Sequence, residues 1–129
     1  MKKPVRGISG GRRVYYVLPL FLYLLLIFIL SSISRYPDEI TWVFSFDKCV
    51  HALEYYLLGY LLMRMLVTSP HRVFSGAPVA FSIVFGILYA LSDEWHQSFI
   101  IGRYASGFDL LFDSVGVVLA AFTYRLVRY

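Results

Sequence analysis

Four apolar stretches, near residues 14–33, 49–67, 78–97 and 108–127, dominate this chain. Each approaches the ~20 residues that a helix needs to cross a bilayer. Together they fill most of a 129-residue chain that is 59% hydrophobic, and they leave no room for a separate soluble domain. The expected fold is all-α, an integral membrane bundle of four transmembrane helices. Residues 1–13 read as a basic cytoplasmic tail and residues 14–129 as the transmembrane domain.

Charge is sorted along this pattern. Lys2, Lys3, Arg6, Arg12, Arg13, Arg64, Arg72, Arg125 and Arg128 fall at one set of helix ends. By the positive-inside rule that side is cytoplasmic, so both termini are expected inside. The first stretch has a basic leader like a signal peptide, but its apolar run is longer than a signal core and no small-x-small site follows it. It reads as an uncleaved first helix. The localisation this implies is multi-pass in the cytoplasmic (inner) membrane. The net charge of +4 reflects topology and contact with anionic lipid, and does not indicate nucleic-acid binding.

The carboxylates Asp38, Glu39, Asp47, Glu54, Asp93, Glu94, Asp109 and Asp113 all map to the opposite, outer side, joined only by Arg35, Lys48 and Arg103. In the second helix Asp47, His51, Glu54, Tyr55 and Leu58 recur at i+3/i+4 spacing and share one face, with Asp47 placed to cap the N-terminus. In the third, Ser82, Gly86, Ala90, Asp93 and Gln97 form a stripe with Glu94 at its edge; in the fourth, Asp109, Asp113, Gly116, Ala120 and Thr123 form another. Polar groups stand at the outer end of each stripe and small residues deeper. Small residues let helices approach closely, which converges the polar ends on one outward-facing pocket.

Five acids in such a pocket cannot all stay ionised without compensation. A divalent cation such as Mg²⁺ or Ca²⁺ resolves the imbalance, with Glu94, Asp109 and Asp113 as its ligands; a cationic substrate group resolves it too. Helix-to-helix polar glue is a poor alternative. A membrane hydrogen bond contributes about 1 kcal/mol, whereas one carboxylate at mid-depth costs about 2.5–3.5 kcal/mol to insert. His51, Glu54 and Asp93 are the candidate catalytic groups, through proton transfer. Lys48, Gln97 and Arg103 are the candidate ligand-binding groups. Gly102 permits a tight turn beside Arg103, whose fork either holds a phosphate or pairs with Asp93 or Asp109. Tyr55 and Tyr89 read as packing residues, His96 as a loop-facing polar residue, and the single cysteine, Cys49, as packing filler. The inner turn TSPHRVFSGAP reads as a helix breaker.

DKCVHALEYYLLG and SDEWHQSFIIGRYASGFDLLFDSVG resemble the two signature blocks of the VanZ-like membrane proteins. Asp47, Lys48, His51, Tyr55 and Gly59 match the first block. Asp93, Glu94, Gln97, Phe99, Gly102, Arg103, Asp109 and Gly116 match the second, while Asp113 stands where that family usually has Asn. The resemblance implies a small bacterial-type membrane protein of the cell envelope; the family's namesake is associated with antibiotic resistance, at a low level, to the glycopeptide teicoplanin. The expected partners are the lipid bilayer and an anionic lipid or envelope precursor. Two modes of action stand side by side, an enzyme acting on a lipid-linked or phosphate-bearing substrate and a non-catalytic interaction protein. A subunit of an ion-coupled transporter is a third. There is no Ser-His-Asp spacing, phosphate loop or Cys/His metal motif.

Overall fold

The computed structural model describes residues 10–34 and 44–128. The residues 1–9 of the basic leader, and Asp38, Glu39 and Trp42 of the connection expected on the outer side, lie outside that range. The chain is all-helical among the described residues, in the order α1 (Gly10–Ser31), α2 (Phe44–Val67), α3 (Arg72–Gly76), α4 (Pro78–Gln97) and α5 (Gly107–Arg128). The four long helices coincide with the four apolar stretches to within a few residues at most ends. The largest difference is at α2, which begins at Phe44, so Asp47 lies in its first turn and is not its N-cap. The turn TSPHRVFSGAP, read as a helix breaker, is not wholly irregular, since it contains the single-turn helix α3.

By length and composition, the segments Arg13–Ser31 of α1 and Gly107–Arg128 of α5 are apolar enough to cross a membrane. α2 and α4 are as long but dilute their apolarity with chemistry-bearing side chains: Asp47, Lys48, His51, Glu54 and Arg64 in one, Asp93, Glu94 and His96 in the other. Large apolar side chains face outward along the bundle, among them Phe21, Leu22, Leu53, Leu88 and Leu119.

The most extensive packing joins α2 to α5, with α4 against both. Its geometry comes from residues that lack bulk. A Cβ added to Gly116 would fall 2.2 Å from the carbonyl oxygen of Ala52, and one on Gly59 would fall 2.8 Å from Cβ of Ala120. A Cβ on Gly86 would meet Val117 Cγ1 at 2.5 Å. Val117, fully buried, thus wedges between the glycines of α2 and α4. Backbones this close leave no room for side chains between them, so the polar residues one and two turns outward are drawn together. The buried residues of α4 are Ser82, Gly86, Ala90, Asp93, Glu94 and Gln97, the expected stripe with its edge. On α5 the C-terminal end of the stripe is Tyr124, and Thr123 is only half-buried.

α1 is the outer member. It buries Leu20, Ile27 and Ser31 and is tied on by polar bonds to its neighbours. The Tyr23 hydroxyl donates to the carbonyl of Glu54 at 2.9 Å, and the Tyr89 hydroxyl donates to that of Leu24 at 2.6 Å. His96, expected to face a loop, instead bonds through Nε2 to the Ser32 hydroxyl at 2.9 Å and stacks on Phe28. Cys49 is exposed and fills no core position.

Candidate functional site

The N-termini of α2 and α5 and the C-terminus of α4 meet at one end of the bundle. Two of these three termini present the positive end of a helix dipole, so a carboxylate in the first turn is favoured. Asp47 occupies the first turn of α2 and Asp109 that of α5. Glu94, in the last turn of α4, has no such help and is compensated differently. Its Oε2 accepts from the backbone N–H of Ser106, in the connection leading to α5, at 2.8 Å. That connection turns at Gly102, whose φ of 78° suits glycine.

A buried polar layer fills the space between α2, α4 and α5. Lys48, His51, Glu94, Asp109 and Asp113 are each at most 7% exposed. The Lys48 ammonium pairs with Asp109 Oδ1 and lies 3.7 Å from Asp47 Oδ2. His51 Nδ1 bonds to Asp113 Oδ1 at 2.9 Å, and its Nε2 lies 4.0 Å from Asp47 Oδ2. Two buried oxygens in this layer, Glu94 Oε1 and Asp113 Oδ2, have no hydrogen-bond partner. An unpartnered buried oxygen costs about 1–3 kcal/mol, more when charged, so the two together are an electrostatic deficit in this layer.

Beside the layer runs a groove of about 440 Å³ between α1, α2 and α4. Leu26, Leu30, Leu53 and Leu57 form apolar walls, and Asp47, His51, Glu54, Asp93, Gln97 and Arg103 supply the polar lining. Asp93 Oδ2 accepts from the Tyr55 hydroxyl at 3.3 Å and from Gln97 Nε2 at 3.0 Å. Arg103 donates to the carbonyls of Leu30 and Ile33, at 3.0 and 3.2 Å, and so anchors the end of α1 beside the groove. His51 belongs to both regions: its ring lines the groove and bonds into the buried layer.

All nine residues singled out from the sequence lie at this end, divided between the two regions. Lys48, Glu94, Asp109 and Asp113 belong to the layer, Glu54, Asp93, Gln97 and Arg103 to the groove, and His51 to both. Glu94, Asp109 and Asp113 do not make one three-donor set. Among the described residues, the groups whose donor atoms lie within 4.8 Å of one another are Asp47–His51–Asp109 and His51–Glu94–Asp113. Two participants were undervalued. Tyr55, read as packing, is fully buried with its hydroxyl on Asp93. The Ser106 amide holds Glu94, a backbone contribution that side-chain spacing does not reveal. Tyr55 did carry a signal, one turn beyond His51 on the same stripe.

Comparison with known families agrees with the signature blocks. The chain belongs to the VanZ/LLP1 family, whose model matches residues 9–128. No curated protein and no solved structure matches it.

Proposed function

We propose that this VanZ/LLP1 member is a multi-pass protein of the cytoplasmic membrane. All four long helices span, both termini are inside, and the groove opens toward the outer surface. In this reading it binds or modifies a lipid-linked or phosphate-bearing envelope component and thereby alters susceptibility to a glycopeptide such as teicoplanin. Gln97 and Arg103, which line the groove, hold the anionic head, and His51, Glu54 and Asp93 move protons, while Lys48 is taken up by Asp109.

The observation that carries this reading is the composition of the groove. Its apolar walls suit a hydrocarbon chain, and its donors at Arg103, Gln97 and His51 suit the anionic head of the same molecule. A simple anchor has no reason to hold ionisable groups where they are expensive. The sorting of arginines supports the orientation: Arg64, Arg72, Arg125 and Arg128 all lie on the loops and helix ends away from the acids.

The test is profiling of lipids and cell-wall precursors in cells with and without the chain, and with Asp93→Asn or His51→Gln. A species that accumulates on deletion and in both variants supports modification of that species. A second reading, a non-catalytic accessory protein, is favoured by the anchoring of Arg103 to α1, which suits a shape-holding role. It gains if deletion changes susceptibility while every precursor level stays constant.

A further inference from the structure

We infer that His51, Glu94 and Asp113 hold a divalent transition-metal ion, Zn²⁺ or Mn²⁺, in the layer between α2, α4 and α5. The inference rests on reading this end of the bundle as the functional site, and it replaces the ligand trio expected from spacing alone. One donor atom from each residue lies within 4.8 Å of the other two. Each side chain is more than nine-tenths buried.

The independent observation is the pair of orphaned oxygens. Glu94 Oε1 and Asp113 Oδ2 are buried without a partner, while the other oxygen of each carboxylate is bonded. A native structure seldom leaves two such atoms in one buried layer unless something outside the chain satisfies them. Protonating one carboxylate would remove one charge of the two, and would pair the orphaned oxygens only by a hydrogen shared directly between them. A divalent ion removes both deficits together. Its two charges balance Glu94 and Asp113, and His51 coordinates as the neutral ring.

The remaining charges agree with this assignment. Lys48 already neutralises Asp109, which takes Asp109 out of the demand for a cation. His51 Nδ1 and Asp113 Oδ1 stand 2.9 Å apart. Two donors at that separation subtend about a right angle at an ion bonded ~2.1 Å from each, so the existing contact converts to adjacent ligands with little movement. One imidazole with two carboxylates suits Zn²⁺ or Mn²⁺ better than the all-oxygen preference of Mg²⁺ or Ca²⁺. Water completes the shell. Because His51 also lines the groove, the ion would lie one side chain from a bound anionic head and polarise it as a Lewis acid.

The experiment uses the full chain, purified in detergent through a tag that binds no metal. It is stripped with chelator and titrated with Mn²⁺ under electron paramagnetic resonance, and with Zn²⁺ under elemental analysis. One ion per chain is expected, with pulsed-resonance coupling to a single imidazole nitrogen. His51→Gln, Glu94→Gln and Asp113→Asn should each weaken Mn²⁺ binding by about 100-fold or more, the upper end of what outer-shell changes do. Sub-stoichiometric binding, or absence of nitrogen coupling in the unaltered chain, overturns the assignment even if every variant fails to fold. Asp109→Asn weakening binding as much as Glu94→Gln also overturns it, by moving the ion to the Asp47–His51–Asp109 group. Ion binding with an unchanged precursor profile refutes modification of an envelope component and leaves the metal centre standing. A changed profile without an ion does the reverse.

Discussion

His51 Nδ1 and Asp113 Oδ1 meet at 2.9 Å, and this contact joins the second turn of α2 to the second turn of α5 inside a largely buried layer. It is the polar counterpart of the glycine contacts one turn deeper, where Gly116 of α5 lies against the backbone of Ala52. Each depends on the other: the close backbones set the distance, and the side-chain bond compensates for burying two polar groups.

Replacing one partner tests how much that bond contributes. Asp113→Leu leaves His51 buried beside a hydrocarbon and should cost about 3–5 kcal/mol, the usual penalty for breaking a buried pair. Asp113→Asn, the residue the VanZ-like pattern has there, keeps an acceptor oxygen and should cost about 1 kcal/mol or less. Denaturant titration in mixed micelles, with chelator present, measures both. Equal costs would mean that the Asp113 carboxylate does not support His51 in the folded chain.

The Lys48–Asp109 pair is buried on both sides, so its two halves should be strongly coupled. Lys48→Met alone strands a carboxylate and should destabilise by about 3–5 kcal/mol. Adding Asp109→Leu should recover most of that loss, because a pair of apolar residues has no desolvation cost. A double-mutant cycle read by the same titration checks this. Additive effects would show that Asp109 and Lys48 act independently.

Much of this site could be read before any coordinates. Period-3.6 spacing assigns each residue an azimuth on its own helix, and for α4 that alone identified Ser82, Gly86, Ala90, Asp93, Glu94 and Gln97 as the buried set. Spacing says nothing about how far one helix is slid along another. That register comes from Gly59, Gly86 and Gly116, and it sets Asp113 opposite His51 and Asp109 opposite Lys48. The metal trio expected from the acids alone therefore differed from the donor groups that the packing assembles. Backbone partners such as the Ser106 amide, and the Ser32 contact of His96, lie in connections whose path no periodicity describes.

The glycine register makes its own prediction. Gly116→Ala puts a carbon 2.2 Å from a carbonyl oxygen that belongs to a helix backbone and cannot swing aside. The expected cost is about 1–3 kcal/mol from overpacking, with loss of the His51–Asp113 contact as the helices separate. Gly11→Ala, in α1 with nothing within 4 Å of the new carbon, should be neutral or gain up to about 1 kcal/mol from helix propensity. The same unfolding measurement ranks the two. Equal behaviour would remove the close-packing account of why the polar ends converge.

The proposed orientation is open to direct chemical test, because the chain has a single cysteine. Replacing it by Cys49→Ser gives a silent background into which one reporter at a time is placed. Ala105, exposed in the connection between α4 and α5, and Ser75, exposed in α3, lie at opposite ends of α4. With four spans and both termini inside, Ala105→Cys should react with a membrane-impermeant maleimide in intact cells. Ser75→Cys should react only after the membrane is opened. The reverse pattern would turn the groove toward the cytoplasm, where an outer-face envelope component could not reach it. Labelling of both in intact cells would mean that α4 does not span, and the four-span reading would fall with it.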